Sequence, residues 1–134
     1  MIVVDTNVIV YFLLIENKTP QARKVYQRDP HWAVPTLWRS EFHNVLSLYL
    51  RKDKLTFDQA LQLAQEAEEI LRGKEHRVDS NHVLQFVAQS KCSAYDCEYV
   101  ALAQQFNVKL VTADKLILSE FPRDAISLEN FIEE

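Results

Sequence analysis

Met1-Ile2-Val3-Val4-Asp5-Thr6-Asn7 is the stretch that decides the fold. Residues 2–5 form a short apolar run with no polar face until the acid that ends it. A run this short and this continuous reads as a strand buried on both sides, as in a parallel sheet. Working outward, His31 to Val34 reads as a second strand stopped by Pro35, and His76 to Val78 as a weaker third. Val108 to Thr112 is a strong strand, and Ala125 to Leu128 an edge strand before a short C-terminal helix. Helical patterns cover 7–14, 19–28, 36–52, 56–72, 79–89 and 94–106. Thr56-x-x-Gln59 has capping-box form, and Gly73 stands where a helix would place its left-handed C′ residue. Strands separated by helices need crossover connections, so the expected class is α/β. The expected architecture is three-layer α/β/α: a parallel sheet of four to five strands, covered on both faces, in one domain over 1–134.

The bulk numbers narrow the function. With 134 residues, 48% hydrophobic and 25% charged, the chain reads as an ordinary globular protein. A net charge of -4 argues against a general nucleic-acid coat protein. It leaves a nuclease open, because a bound cation offsets an acidic centre and phosphate contacts are local. The apolar start is broken by Asp5, Thr6 and Asn7 and closed by Glu16, so neither a membrane span nor a signal peptide is expected. Cys92 and Cys97 fit neither a redox CxxC nor a zinc knuckle, and read as reduced core residues of a cytoplasmic protein. One glycine, Gly73, leaves no P-loop, dinucleotide fingerprint or glycine nucleophile elbow.

Four acids sit where acids are expensive. Asp5 and Asp114 each end an apolar run. Glu41 and Asp96 fall on apolar helix faces, Trp38-x-x-Glu41-x-x-x-Val45 and Cys92-x-x-x-Asp96-x-x-x-Val100. Burying even a neutral polar group unpartnered costs roughly 2–7 kcal/mol. Ligands of an open parallel sheet bind beyond the carboxyl ends of its strands, and Asp5 and Asp114 both belong to that edge. Taken singly, either reads as a helix N-cap or turn residue. Glu41 and Asp96, taken singly, read as stripe-edge residues that reach water. Together the four would repel one another without a cation. Carboxylates are the hard donors that Mg2+ and Mn2+ prefer, and such an ion supports phosphodiester hydrolysis.

Thr6, Asn7, Asn44 and Thr112 lie beside these acids and could orient them, Asn7 and Thr112 foremost; capping and turn chemistry is the alternative. No histidine pair forms a zinc motif, and His43, two positions from Glu41, points to another helix face. Arg39, Arg51, Lys52 and Lys54 read as a solvated basic cluster around one helix end, with RNA phosphate contact as the rival. Trp38, Phe42 and Tyr49 read as core.

Four segments carry a family resemblance: Val3-Val4-Asp5-Thr6-Asn7; Val34-Pro35 through Ser40-Glu41 to Asn44-Val45-Leu46; Tyr95-Asp96 with Tyr99-Val100-Ala101-Leu102-Ala103; and Leu110-Val111-Thr112-Ala113-Asp114. In this order they span almost the whole chain, which resembles a PIN-domain protein and, within that group, the VapC-like toxin ribonucleases. The resemblance implies a PIN-like α/β/α fold and Mg2+- or Mn2+-dependent hydrolysis of RNA. It puts the family's acids on Asp5, Glu41, Asp96 and Asp114 as catalytic and metal-holding residues, and its supporting polar residues on Asn7 and Thr112. It further implies a homodimer and, for toxin members, a small antitoxin partner. Leu116 stands where some relatives carry another acid, which weakens a second metal site, and Cys97 stands where a small residue is usual.

Overall fold

The computed structural model describes residues 1–134. Five strands, β1 (Ile2–Val4), β2 (Trp32–Pro35), β3 (Glu75–His76), β4 (Leu110–Val111) and β5 (Ala125–Ile126), form one sheet in the order β3-β2-β1-β4-β5. Every pairing is parallel, with Val3 opposite Ala33 on one side and Leu110 on the other. The helices are α1 (Thr6–Leu13), α2 (Thr19–Arg28), α3 (Trp38–Arg51), α4 (Phe57–Ile70), α5 (Ser80–Gln89), α6 (Ala94–Phe106), α7 (Lys115–Glu120) and α8 (Leu128–Glu133).

The pleat splits the strand residues between two cores. Ile2, Val4, Trp32, Val34 and Val111 face a layer built from α1, α2, α3, α4 and α8. Val3, Ala33, Leu110 and Ala125 face the other, built from α5, α6 and α7. Alternate residues pointing to opposite faces, both covered, is what makes each strand apolar throughout. The three-layer α/β/α expectation holds, at the upper end of the strand count. Helix α6 packs directly on β1, β2 and β4, and its buried Cys97, Tyr99, Val100, Ala101, Leu102 and Ala103 leave it little polar surface.

The connections explain where the sheet opens. From β1 the chain steps to β2 and β3 on one side, then returns to β4 and β5 on the other. The order therefore reverses between β1 and β4, and a crevice forms there beyond their carboxyl ends. Pro35 lies inside β2 rather than stopping it. It costs no ladder bond, because pairing of β1 with β2 ends at Val3 and Ala33, before the missing N–H would be needed.

Other boundaries shift for local reasons. α4 begins with the foreseen capping box between Thr56 and Gln59. Gly73 adopts φ +74, but two residues beyond the helix C-cap Leu71, one position later than C′. β4 begins only at Leu110, because Asn107 closes α6 in the left-handed region at φ 53 and Val108 still bonds back to Ala103. α7 has no sequence signature: its six residues give too little periodicity, and only Ile117 is buried.

Arg39, Arg51, Lys52 and Lys54 do not form one cluster. Arg39 lies in the first turn of α3, and Arg51 closes its last. Arg39 is committed to Glu75 through two 2.8 Å bonds and to Glu68 at 2.8 Å, which ties α3 and α4 to the edge strand β3. Arg51, Lys52 and Lys54 are exposed, as a solvated face requires. Trp38 and Phe42 are buried in the core, and Tyr49 packs half-buried against it.

Candidate functional site

Asp5 follows β1 directly, and its backbone N–H donates to Val111 O at 3.0 Å, so the ends of β1 and β4 are held together. It is the N-cap of α1: Oδ1 accepts from Thr6 N at 2.8 Å. Oδ2 accepts from Thr112 Oγ1 at 2.7 Å and from Asn7 Nδ2 at 3.3 Å. Asn7 also donates to Thr112 Oγ1 at 3.4 Å and accepts from Ala113 N at 3.3 Å. Thr112 is fully buried, and its hydroxyl oxygen accepts from Asp114 N at 3.0 Å. Asn7 and Thr112 thus bind Asp5 to the loop that carries Asp114. Asp114 in turn is the N-cap of α7, with Oδ1 accepting from Ile117 N at 3.0 Å.

Glu41 reaches the same place from the first turn of α3. Its Oε1 accepts from Thr6 Oγ1 at 2.8 Å and from Tyr99 OH at 2.6 Å. Asp96 sits in the first turn of α6, where its N–H donates to the N-cap Ser93 Oγ at 3.1 Å. One open pocket of ≈ 690 Å³ is lined by Asp5, Glu41, Asp96 and Asp114 together, with Thr6, Asn7, Ser40 and Asn44 among its other polar residues. No Lys, Arg or His lines it, and none of the chain's ion pairs includes any of the four acids. His43 is exposed on α3 and does not line the pocket. Asn44 is exposed at its rim.

Asp5 and Asp114 are thus both helix N-caps and both lining residues of the pocket they share with Glu41 and Asp96. All four acids stand at or within the first turn of a helix, α1, α3, α6 and α7. The partial positive charge at a helix N-terminus favours an adjacent carboxylate by about 0.3–1 kcal/mol, which offsets part of their repulsion. The offset is incomplete. Burial, reinforced by the charges of Glu41 and Asp96, pushes the Asp5 carboxyl from its ordinary 3.8 up to about 7, against the pull of the Thr112 hydroxyl and the Thr6 N–H. Burial and then the charge of Asp114 also raise Asp96. In both, burial first and neighbouring acids second disfavour the charged form.

Two side chains that fix the acids have roles the sequence alone does not single out. In the sequence Tyr99 is only part of one segment of the family resemblance, yet its buried hydroxyl fixes Glu41. Its signal was a tyrosine on an otherwise Val-Ala-Leu helix face, where a buried phenol needs a partner. Thr6, grouped with the possible orienting residues, holds Asp5 through its backbone and Glu41 through its hydroxyl. Burial pushes the Cys92 thiol up to about 11 and raises that of Cys97, as befits inert core thiols.

The residues present fit a divalent ion by donor chemistry: hard carboxylate oxygens and no competing cation. Glu41 Oε2 and Asp114 Oδ2 are not committed in the bonds above, which use Oε1 and Oδ1. No three Asp, Glu, His or Cys side chains are arranged to hold one ion together.

A family model described as PIN domain matches residues 2–122. Two solved structures share the fold over nearly the full length of both chains. PAE2754 from Pyrobaculum aerophilum is 19% identical, with a TM-score of 0.78, over 98% of this chain and 93% of the other. FitAcB from Neisseria gonorrhoeae is 17% identical, with a TM-score of 0.76, over 96% and 99%. No curated protein matches by sequence.

Proposed function

The chain belongs to the PIN-domain family, matched over residues 2–122, and on that premise we propose that it is a Mg2+- or Mn2+-dependent endoribonuclease. The observation that carries this reading is the pocket at the strand-order reversal, lined by four carboxylates and by no basic side chain. Asp5, Glu41, Asp96 and Asp114 would hold the ion among them, about one or two directly and the others through its waters. Bound there, it would lower the pKa of water and offset charge on a phosphoryl oxygen.

The chain's own residues do the preparatory work. Thr112 and Asn7 fix Asp5 Oδ2, while Thr6 N fixes Oδ1, so this carboxylate cannot swing away. Without a cation, a carboxyl at about 7 is half protonated near neutrality, and it accepts the ion as it gives up that proton. Tyr99 and Thr6 occupy Glu41 Oε1 and leave Oε2 uncommitted on a residue that lines the pocket. Asp114 is held on one oxygen by Ile117 N and free on the other. A rigid, prepaid arrangement of this kind is what differential stabilisation of charge in the transition state requires.

The resemblance to VapC-like toxins extends the proposal to the toxin component of a toxin–antitoxin pair. It acts as a homodimer with a small antitoxin as its partner and RNA as its substrate, in the cytoplasm, from a single domain over 1–134. No helix is long and apolar enough to cross a membrane. The competing reading is a catalytically silent RNA- or protein-binding module of the same fold, and the lack of three converging ligands is the observation in its favour.

Cleavage of RNA by purified protein, with Mn2+ or with EDTA, separates the two. The nuclease reading expects Mn2+-dependent cleavage that Asp5→Asn and Asp96→Asn each abolish while circular dichroism stays native. Undiminished cleavage by both variants defeats it. Calorimetric titration showing no Mn2+ binding, together with no cleavage, establishes the silent module instead.

A further inference from the structure

We propose that Tyr95 is the platform on which an unpaired base beside the scissile phosphate stacks; this rests on the ribonuclease reading above. Tyr95 occupies the first turn of α6, next to Asp96, and lines the same pocket as the four acids. It is 62% exposed, in a helix whose other tyrosine, Tyr99, is 0% exposed. Tyr99 spends its hydroxyl on Glu41, so its role is to fix a carboxylate. Tyr95 has no such duty. It belongs to neither hydrophobic core. Its ring pairs with none of the aromatic or cationic side chains that pair elsewhere. Of the chain's large, well-exposed apolar side chains, Tyr95 is the one that lines this pocket.

The pocket's charge makes such a surface useful. Four carboxylates repel a polyanion, and the residues around them supply no Lys or Arg to draw it in. A cation can anchor one phosphate, but the neighbouring nucleotide needs an attraction that is not electrostatic. An aromatic face provides it, since every base has a π-face. Val10, Leu37 and Val45 line the same pocket and give a splayed base an apolar wall as well as a ring. A base in a duplex is already stacked and cannot use either, so only an unpaired base gains from Tyr95.

The test uses the full chain with Mg2+ and a fluorescein-labelled pool of random-sequence single-stranded RNA, about 20 nucleotides long. A duplex of equal length serves as the control. Stacking on one aromatic side chain changes binding by about 5- to 150-fold. Tyr95→Ala is expected to raise KM for the single strand, and the Kd from fluorescence anisotropy, by about tenfold or more, with kcat within about threefold. Tyr95→Phe and Tyr95→Trp should restore both, and thermal midpoints should match wild type because the side chain is exposed. Wild type that cleaves the pool while Tyr95→Ala keeps its KM and Kd overturns the stacking role and leaves the nuclease standing. Tyr95→Phe as impaired as Tyr95→Ala also overturns it, since the ring would not be the active part. Wild type that neither binds nor cleaves the pool overturns the ribonuclease reading and this inference with it.

Discussion

Asp5→Asn should stabilise the metal-free protein at pH 8 and destabilise it at pH 4. Asp5 is 7% exposed, and its carboxyl is raised from 3.8 to about 7. The native state therefore binds this proton more tightly than the unfolded chain does. Between those two values unfolding releases a proton, so stability falls as pH rises through the window and levels off above it. At about 1.4 kcal/mol for each tenfold in proton affinity, the loss across the window is roughly 4 kcal/mol. The asparagine carries no charge and escapes it. It also places an amide donor against either the Thr112 hydroxyl, now a donor to Oδ2, or the Thr6 N–H. One mismatched bond costs about 1–2 kcal/mol. The net expectation is a variant about 2–3 kcal/mol more stable than wild type at pH 8 and about 1–2 kcal/mol less stable at pH 4. Urea unfolding followed by circular dichroism, in EDTA and at one fixed protein concentration, measures both. Mn2+ at pH 8 should close the gap by stabilising wild type alone. A variant less stable than wild type at both pH values, with the same dependence on pH, refutes the claim that burial and the neighbouring acids disfavour the charged form of Asp5.

Two further substitutions probe the supports. Thr112→Val keeps the volume but removes the hydroxyl that donates to Asp5 and accepts from Asp114 N; it should cost about 1–3 kcal/mol in urea unfolding and abolish Mn2+-dependent cleavage. Wild-type Mn2+ affinity in that variant, by calorimetry, would show that Asp5 needs no such support. Tyr99→Phe removes one of two donors to Glu41 Oε1. It should lower the stability by about 0.5–1.5 kcal/mol and reduce kcat while leaving KM for RNA near wild type, in contrast to the Tyr95 variants; an unchanged kcat would mean that Thr6 alone positions Glu41.

The strands were legible because burial on both faces writes itself as an unbroken apolar run. Val3 faces one core and Val4 the other, so neither position can be polar. The helices with an amphipathic stripe or a capping box were legible for a similar reason: α4 announces its start at Thr56 and Gln59. What escaped is what a short window cannot hold. α7 has six residues and one buried side chain, too few to show a period. The extent of β4 depends on how Asn107 closes α6, a backbone choice with weak sequence signature. Arg39 and Arg51 looked alike as charges near one helix end, and only the tertiary position of Glu75 and Glu68 gives one of them partners.

The four acids were legible as an anomaly, yet the reason the fold tolerates them was not. Each sits at a helix start, but the sequence shows four separate starts, and nothing local says that α1, α3, α6 and α7 point their first turns at one pocket. That convergence follows from the strand order. Because β1 and β4 are neighbours although far apart in sequence, the loops that leave them are adjacent, and Asp5 and Asp114 meet. The segment after β2 brings α3 in with Glu41, and α6 lies on β1, β2 and β4 with Asp96 in its first turn. N-terminal dipoles and buried hydroxyls support the charges singly, but at Asp5 burial, with the charges of Glu41 and Asp96, outweighs them and raises the carboxyl to about 7. On the proposed reading a cation would supply the missing compensation, and the fold can keep all four acids because each, taken alone, also suits the helix start at which it sits.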